Sequence, residues 1–105
     1  MDNRHERLEA GLRDVAAEFM VREAGRGSLI TITRAMLTED NKHATIYMTV
    51  LPETAEENAL SFANRNRTEM KDFFKTRIKG ALPPDIVFEI DMGEKNRQRL
   101  DELSQ

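Results

Sequence analysis

Two stretches of this chain alternate between apolar and other residues with a period of two, and they narrow the choice of fold more than any other feature. From Leu29 to Leu37, Ile30, Ile32 and Met36 alternate with Thr31 and Thr33; over residues 44–51, Ala44, Ile46, Met48 and Val50 alternate with Thr45, Tyr47 and Thr49. A period of two sends successive side chains to opposite faces of a pleated strand, and β-branched residues suit that geometry. The polar run between them, residues 38–43, is turn-prone. The spacing predicts an antiparallel hairpin with one apolar face, and that face has to be covered.

The segments on either side supply the cover. Leu8, Leu12, Val15, Ala16 and Phe19 form one stripe of a 3.6-residue helix, which Gly25 and Gly27 in the string Ala24-Gly25-Arg26-Gly27-Ser28 should stop. After Pro52, the string Thr54-Ala55-Glu56-Glu57 reads as a capping box opening a second helix. No Pro or Gly interrupts it before Gly80, so one continuous helix would run about 38 Å at 1.5 Å per residue. Its apolar stripe passes through Leu60, Ala63, Met70, Phe74 and Ile78 but lapses across Asn64-Arg65-Asn66-Arg67-Thr68. Asn and Thr side chains compete for backbone hydrogen bonds inside helices, so a kink or break is expected there. Leu82-Pro83-Pro84 excludes helix, and Ile86, Phe88 and Ile90 alternate as a third strand. The order is α-β-β-α-(kink)-α-β, an α+β fold with a three-stranded sheet packed on helices on one face.

At 105 residues the chain suits one domain, placed at residues 1–92, with residues 93–105 a polar C-terminal helix or frayed tail. The absence of cysteine removes disulfides, thiolate metal sites and a cysteine nucleophile, and matches a reducing compartment such as the cytoplasm. No apolar run is long enough to span a membrane, and the polar start Met1-Asp2-Asn3-Arg4-His5 is not a secretory signal. His5 and His43 lie apart in polar surroundings, and Glu53, Glu56 and Glu57 are explained by the favourable dipole at a helix start. Ser28, Ser61 and Ser104 lack a neighbouring His-plus-acid pattern. The expectation is a protein that is not an enzyme, with no metal, cofactor or small-molecule substrate.

A net charge of −3 argues, taken whole, against a nucleic-acid partner, but the charge is unevenly placed. Residues 64–79 hold six basic side chains against Glu69 and Asp72, a local +4. Arg67, Lys71 and Lys75 stand four residues apart and form a row on one helix face. Basic residues near a helix C-terminus can simply answer its dipole. A helix break, however, puts backbone amides beside guanidinium groups, a setting suited to phosphates. The candidate RNA-binding residues are Asn64, Arg65, Asn66, Arg67, Lys71, Lys75, Arg77 and Lys79, with Arg34 and Lys42 on the hairpin as weaker ones.

The order of elements and several strings resemble the ribosome-binding factor A family, over most of the chain. The strings are Ser28-Leu29-Ile30-Thr31-Ile32-Thr33-Arg34, then Glu39-Asp40-Asn41-Lys42-His43-Ala44-Thr45-Ile46-Tyr47-Met48-Thr49-Val50-Leu51-Pro52, and Pro84-Asp85-Ile86-Val87-Phe88-Glu89-Ile90-Asp91. The resemblance implies a type II KH-like fold in which an interhelical kink, marked Ala-x-Gly in the family, replaces the GxxG loop. Ungapped alignment back from Pro84 puts that motif on Asn66-Arg67-Thr68, where neither the alanine nor the glycine stands. It further implies a monomeric bacterial assembly factor that binds the small ribosomal subunit and its rRNA and assists 16S rRNA processing. The rival reading is a protein-interaction module of the same fold without RNA binding.

Overall fold

A computed structural model describes residues 4–23 and 27–104, with the side chains of Arg22 and Glu23 left out. The N-terminal stripe becomes helix α1 (Arg4–Glu23), which buries Leu12, Val15, Ala16, Phe19 and Met20. The expected glycine stop at residues 24–28 lies outside the described residues except for Gly27 and Ser28, and the polar N-terminal Met1, Asp2 and Asn3 also lie outside them.

Strands β1 (Leu29–Leu37) and β2 (His43–Leu51) pair antiparallel as the alternation requires. The pairing of Ile32 with Met48 is followed by that of Arg34 with Tyr47, so Thr33 is an extra residue in β1. Such a bulge reverses the faces beyond it. Ala35 and Leu37 are therefore buried and Met36 is 48% exposed, which corrects the sequence expectation that placed Met36 on the apolar face with Ile30 and Ile32. In β2 no bulge intervenes, and Ala44, Ile46, Met48 and Val50 all face the core.

Strand β3 (Asp85–Ile90) joins β2 in parallel, from His43 opposite Asp85 to Met48 opposite Ile90, giving the order β1-β2-β3. Parallel neighbours need a long crossover, and the helical segment provides it. The capping box does not form. Glu53–Ala55 makes a 3₁₀ turn closed by the Ala55 amide on the Pro52 carbonyl at 2.9 Å, and α2 (Glu56–Arg65) starts with no side-chain cap. The expected break is present, because α2 ends at Arg65, Asn66 adopts φ −103° and ψ 25°, and α3 (Arg67–Arg77) follows. Ala59, Ala63, Met70 and Phe74 from these helices join Ile46, Met48, Ile86 and Phe88 in one core.

After β3, Asp91 caps helix α4 (Met92–Leu103) by accepting the Glu94 amide at 3.0 Å. Lys95 then ties α4 back to the start of α2, 2.6 Å from Glu53 and 2.9 Å from Glu56. The polar residues after Gly93 thus form a helix held against the fold.

Candidate nucleic-acid interface

Asn66 makes the break between α2 and α3 without proline or glycine. Its amide reaches the Phe62 and Ala63 carbonyls at 3.1 and 3.2 Å, and its side-chain Nδ2 donates to the Phe62 carbonyl at 2.8 Å. Its own carbonyl accepts from the Met70 amide at 3.0 Å, so the same residue ends one helix and starts the next. No side chain caps the first turn of α3, which leaves amide donors beside Arg67. Asn66 therefore shapes the candidate site, with its amide nitrogen already engaged.

Asn64, one turn-fraction earlier, is engaged too. β3 is the sheet edge, and the Asn64 side chain pairs with it as a neighbouring strand would: Oδ1 accepts the Phe88 amide at 3.0 Å and Nδ2 donates to the Phe88 carbonyl at 3.3 Å. Arg67 Nη1 donates to the next outward carbonyl, that of Ile86, at 3.4 Å. Edge strands left open invite pairing with other chains, and here polar side chains of the crossover helices cover part of the edge. The lapse in the apolar stripe at 64–68, expected from the sequence to mark a helix break, thus also supplies the polar side chains that cover the β3 edge.

Lys71 stands one turn beyond Arg67 and pairs with Asp85 at 2.5 Å, on the same flank. That hydrogen bond and the ammonium charge hold the Asp85 carboxyl below its usual value. Lys75 is exposed, with Asp72 no closer than 4.0 Å. Arg77 turns away toward α1, where Nε and Nη2 fork onto Glu18 at 3.2 and 2.9 Å while the guanidinium lies 4.4 Å from the Phe73 ring centre. The bond to Glu18 raises its pKa. Arg65 and Lys79 are exposed and have no ion pair among the described residues. On the hairpin, Arg34 is held over the Tyr47 ring at 4.4 Å and 3.7 Å from Asp91.

The positive block is therefore divided. Arg67, Lys71 and Lys75 make a row along the β3 flank, Arg65 and Lys79 extend freely at its two ends, and Arg77 belongs to the α1 side. Ion pairs between exposed groups are weak and screened by salt, so Lys71 can exchange Asp85 for a phosphate at little cost. What the sequence reading missed are the acidic partners, Glu18 and Asp85, which only the packing of α1 and β3 brings to α3. Among the described residues no group of three or more His, Asp or Glu side chains is placed to hold a metal ion.

The sequence profile described as "Ribosome-binding factor A" matches residues 4–104. Curated relatives of that name include one from Christiangramia forsetii, 29% identical over 87 residues, which cover 80% of this chain and 66% of that protein. A second, from Geotalea uraniireducens, is 26% identical over 98% of this chain and 87% of its own length. Among solved structures, the crystal structure of ribosome-binding factor A from Thermus thermophilus aligns with TM-score 0.73 at 23% identity, covering 82% of this chain and 94% of that one. A Thermus thermophilus homology model fitted into a cryo-electron microscopy map of a 30S complex aligns with TM-score 0.70 at 24% identity, covering 79% and 90%. These likenesses establish the α+β KH-like fold, and with a profile match along nearly the whole described chain, this protein belongs to the ribosome-binding factor A family.

Proposed function

We propose that this chain is a ribosome-binding factor that docks on the immature small ribosomal subunit and assists 16S rRNA processing in the bacterial cytoplasm. It acts by binding, without catalysis, as one KH-like domain over residues 1–92 to which α4 is appended. Family membership supplies the target. The observation that carries the site is the row of cations beside the α2–α3 break, where Arg65, Lys75 and Lys79 are unpaired or nearly so and Lys71 has only an exposed carboxylate to exchange. No helix among the described residues is long and apolar enough to cross a membrane.

In this reading Arg65, Arg67, Lys71, Lys75 and Lys79 meet phosphates, Asn64 and Asn66 hold the break and the β3 edge in shape, and Arg77 joins only by leaving Glu18. Each phosphate contact releases counterions, so affinity falls by about 0.7 to 0.9 log units per contact for each tenfold rise in salt. Cosedimentation with small subunits at two salt concentrations tests this. Arg67→Glu with Lys71→Glu should abolish binding, but those side chains also touch β3. Arg65→Glu with Lys75→Glu, which breaks no hydrogen bond of the fold, should weaken binding at least tenfold and flatten its salt dependence. Unchanged sedimentation of both double variants would refute this surface and favour a protein partner.

A further inference from the structure

A separate cleft of about 1040 Å³ opens between the first turns of α1, the β1–β2 turn and the chain between α3 and β3. That volume is at the upper end for sites that take small organic groups. Its walls are fixed by the contacts that hold α1 against α3 and the hairpin. Gly11 lets α1 approach the end of α3, since a β-carbon there would stand 3.0 Å from Ile78 Cδ1. Gly80, at φ +83°, turns the chain away at the far side. His5 Nδ1 lies 2.9 Å from Asn41 Oδ1, and Glu9 accepts the Leu37 amide at 2.7 Å, so α1 is pinned to the hairpin.

The chemistry of the lining is uneven in sign. Arg7, Lys42 and Lys79 reach the cleft with no ion pair among the described residues. The two carboxylates that line it are outnumbered: Asp85 pairs with Lys71 outside the cleft, and Asp40, which accepts the Thr38 hydroxyl at 2.6 Å and the Lys42 amide at 3.0 Å, faces three cations. Between the cations lie Leu8, Ile78 and Pro83, and the exposed His43 stands in the lining as well. The occupant that fits is an anion with a flat, weakly polar body.

We propose that this cleft takes one unpaired nucleotide of an RNA strand, its phosphate held by Arg7, Lys42 and Lys79 and its base laid against Leu8, Ile78 and Pro83 with His43 as a stacking partner. Imidazole rings and apolar side chains receive splayed-out bases, whereas a base inside a duplex cannot reach such a recess. Lys79 ends the basic segment of α3 and also lines the cleft, and Asp85 lines it while binding Lys71. A strand following the Arg67–Lys71–Lys75 row is thereby led to the cleft. The choice of RNA rests on the function proposed above; the cleft and its charge do not.

The test uses fluorescence anisotropy with the full chain, a labelled unstructured RNA hexamer, and a blunt RNA duplex of equal phosphate count. Arg7→Gln with Lys42→Gln, whose side chains hold no part of the fold, should weaken hexamer binding at least tenfold, change duplex binding by less than threefold, and make the hexamer salt slope shallower by about 1.4. Amide resonances of Gly11, Gly80 and Ala81 should shift on titration with the hexamer. Undetectable hexamer binding by the wild type, or hexamer affinity indifferent to both substitutions, would overturn the proposal. So would equal losses for hexamer and duplex, or equal competition by an oligoglutamate peptide, since either marks an unselective basic patch. Wild-type cosedimentation with small subunits separates the two readings: its absence sinks the proposed function, whereas its persistence with a hexamer result that ignores Arg7 and Lys42 sinks only the cleft.

Discussion

Two irregularities interrupt the regular structure of this domain, and at each a short polar side chain reaches across to another element. At the bulge in β1, Thr33 Oγ1 lies 2.6 Å from Asp91 Oδ2 and 3.2 Å from the Tyr47 carbonyl, while Asp91 also caps α4 and sends its own amide to the Met48 carbonyl at 2.8 Å. At the helix break, Asn64 clasps the β3 edge through Phe88. The first network joins β1, β2 and α4 around a carboxylate that is only 6% exposed; the second is a single amide on a half-buried flank. Burial decides the worth of such contacts, because a buried polar group that loses its partner cannot fall back on water.

Asp91→Ala should be the most damaging. It strips the cap from α4 and takes from the Thr33 hydroxyl its shorter, charge-assisted hydrogen bond, leaving only the Tyr47 carbonyl, a loss of about 2–3 kcal/mol, which thermal unfolding would register as roughly 8–20 °C in Tm. The carboxylate also gives stability a pH dependence of known sign. Burial alone would push the Asp91 carboxyl up, but the Thr33 hydroxyl, the Glu94 amide and the Arg34 guanidinium together hold it below the usual value. A lowered native pKa means that the unfolded chain binds the proton more readily. The contribution is therefore complete above the unfolded value of about 3.9 and disappears as pH falls through the lower native one. Asp91→Asn should remove that part of the acid sensitivity in denaturant titrations across this window. An unchanged acid profile would show that the network is held by shape and not by charge.

Asn64→Ala should cost less, about 1–2 kcal/mol, because Asn64 itself is only half-buried and its truncation opens the β3 edge, so that water can reach the Phe88 amide and carbonyl that the clasp had covered. Hydrogen exchange should read it locally, with faster exchange at Phe88 and little change at Thr45 in the sheet centre. Equal acceleration at both would mean that the clasp supports the whole sheet.

The same contrast explains what could be read from the amino-acid order. The helix break was legible because Asn64, Asn66 and Thr68 violate helix preference and the stripe lapses with them, all within five residues. The bulge was not, because Thr33 is a good strand residue and its partner Asp91 lies 58 positions away. A one-residue slip then moved Met36 to the outside, a consequence of register that no local pattern contains. The site was half legible for the same reason. The +4 block announced itself in sequence, whereas the acids that engage part of it, Glu18 and Asp85, come from α1 and β3. The capping box failed in the opposite direction, since Thr54-Ala55-Glu56-Glu57 fits a local motif and the chain instead closes a 3₁₀ turn.

Arg77→Ala should have the smallest effect, and it separates cations that are engaged from cations that are free. Its guanidinium makes a two-pronged contact with Glu18 and stacks on Phe73, the most elaborate set of contacts of any residue in the basic block. Yet both partners of the fork are exposed, at 40% and 47%, where water and salt compensate for its loss. Tm should move by no more than about 2 °C, the order expected for an exposed ion pair. Cosedimentation should weaken less than for Lys75→Ala, although the charge removed is the same, since Arg77 must first leave Glu18 to meet a phosphate. If Arg77→Ala instead weakens subunit binding more than Lys75→Ala, the α1 side of α3 is the face that meets RNA, and the row along β3 serves chiefly to cover the sheet edge.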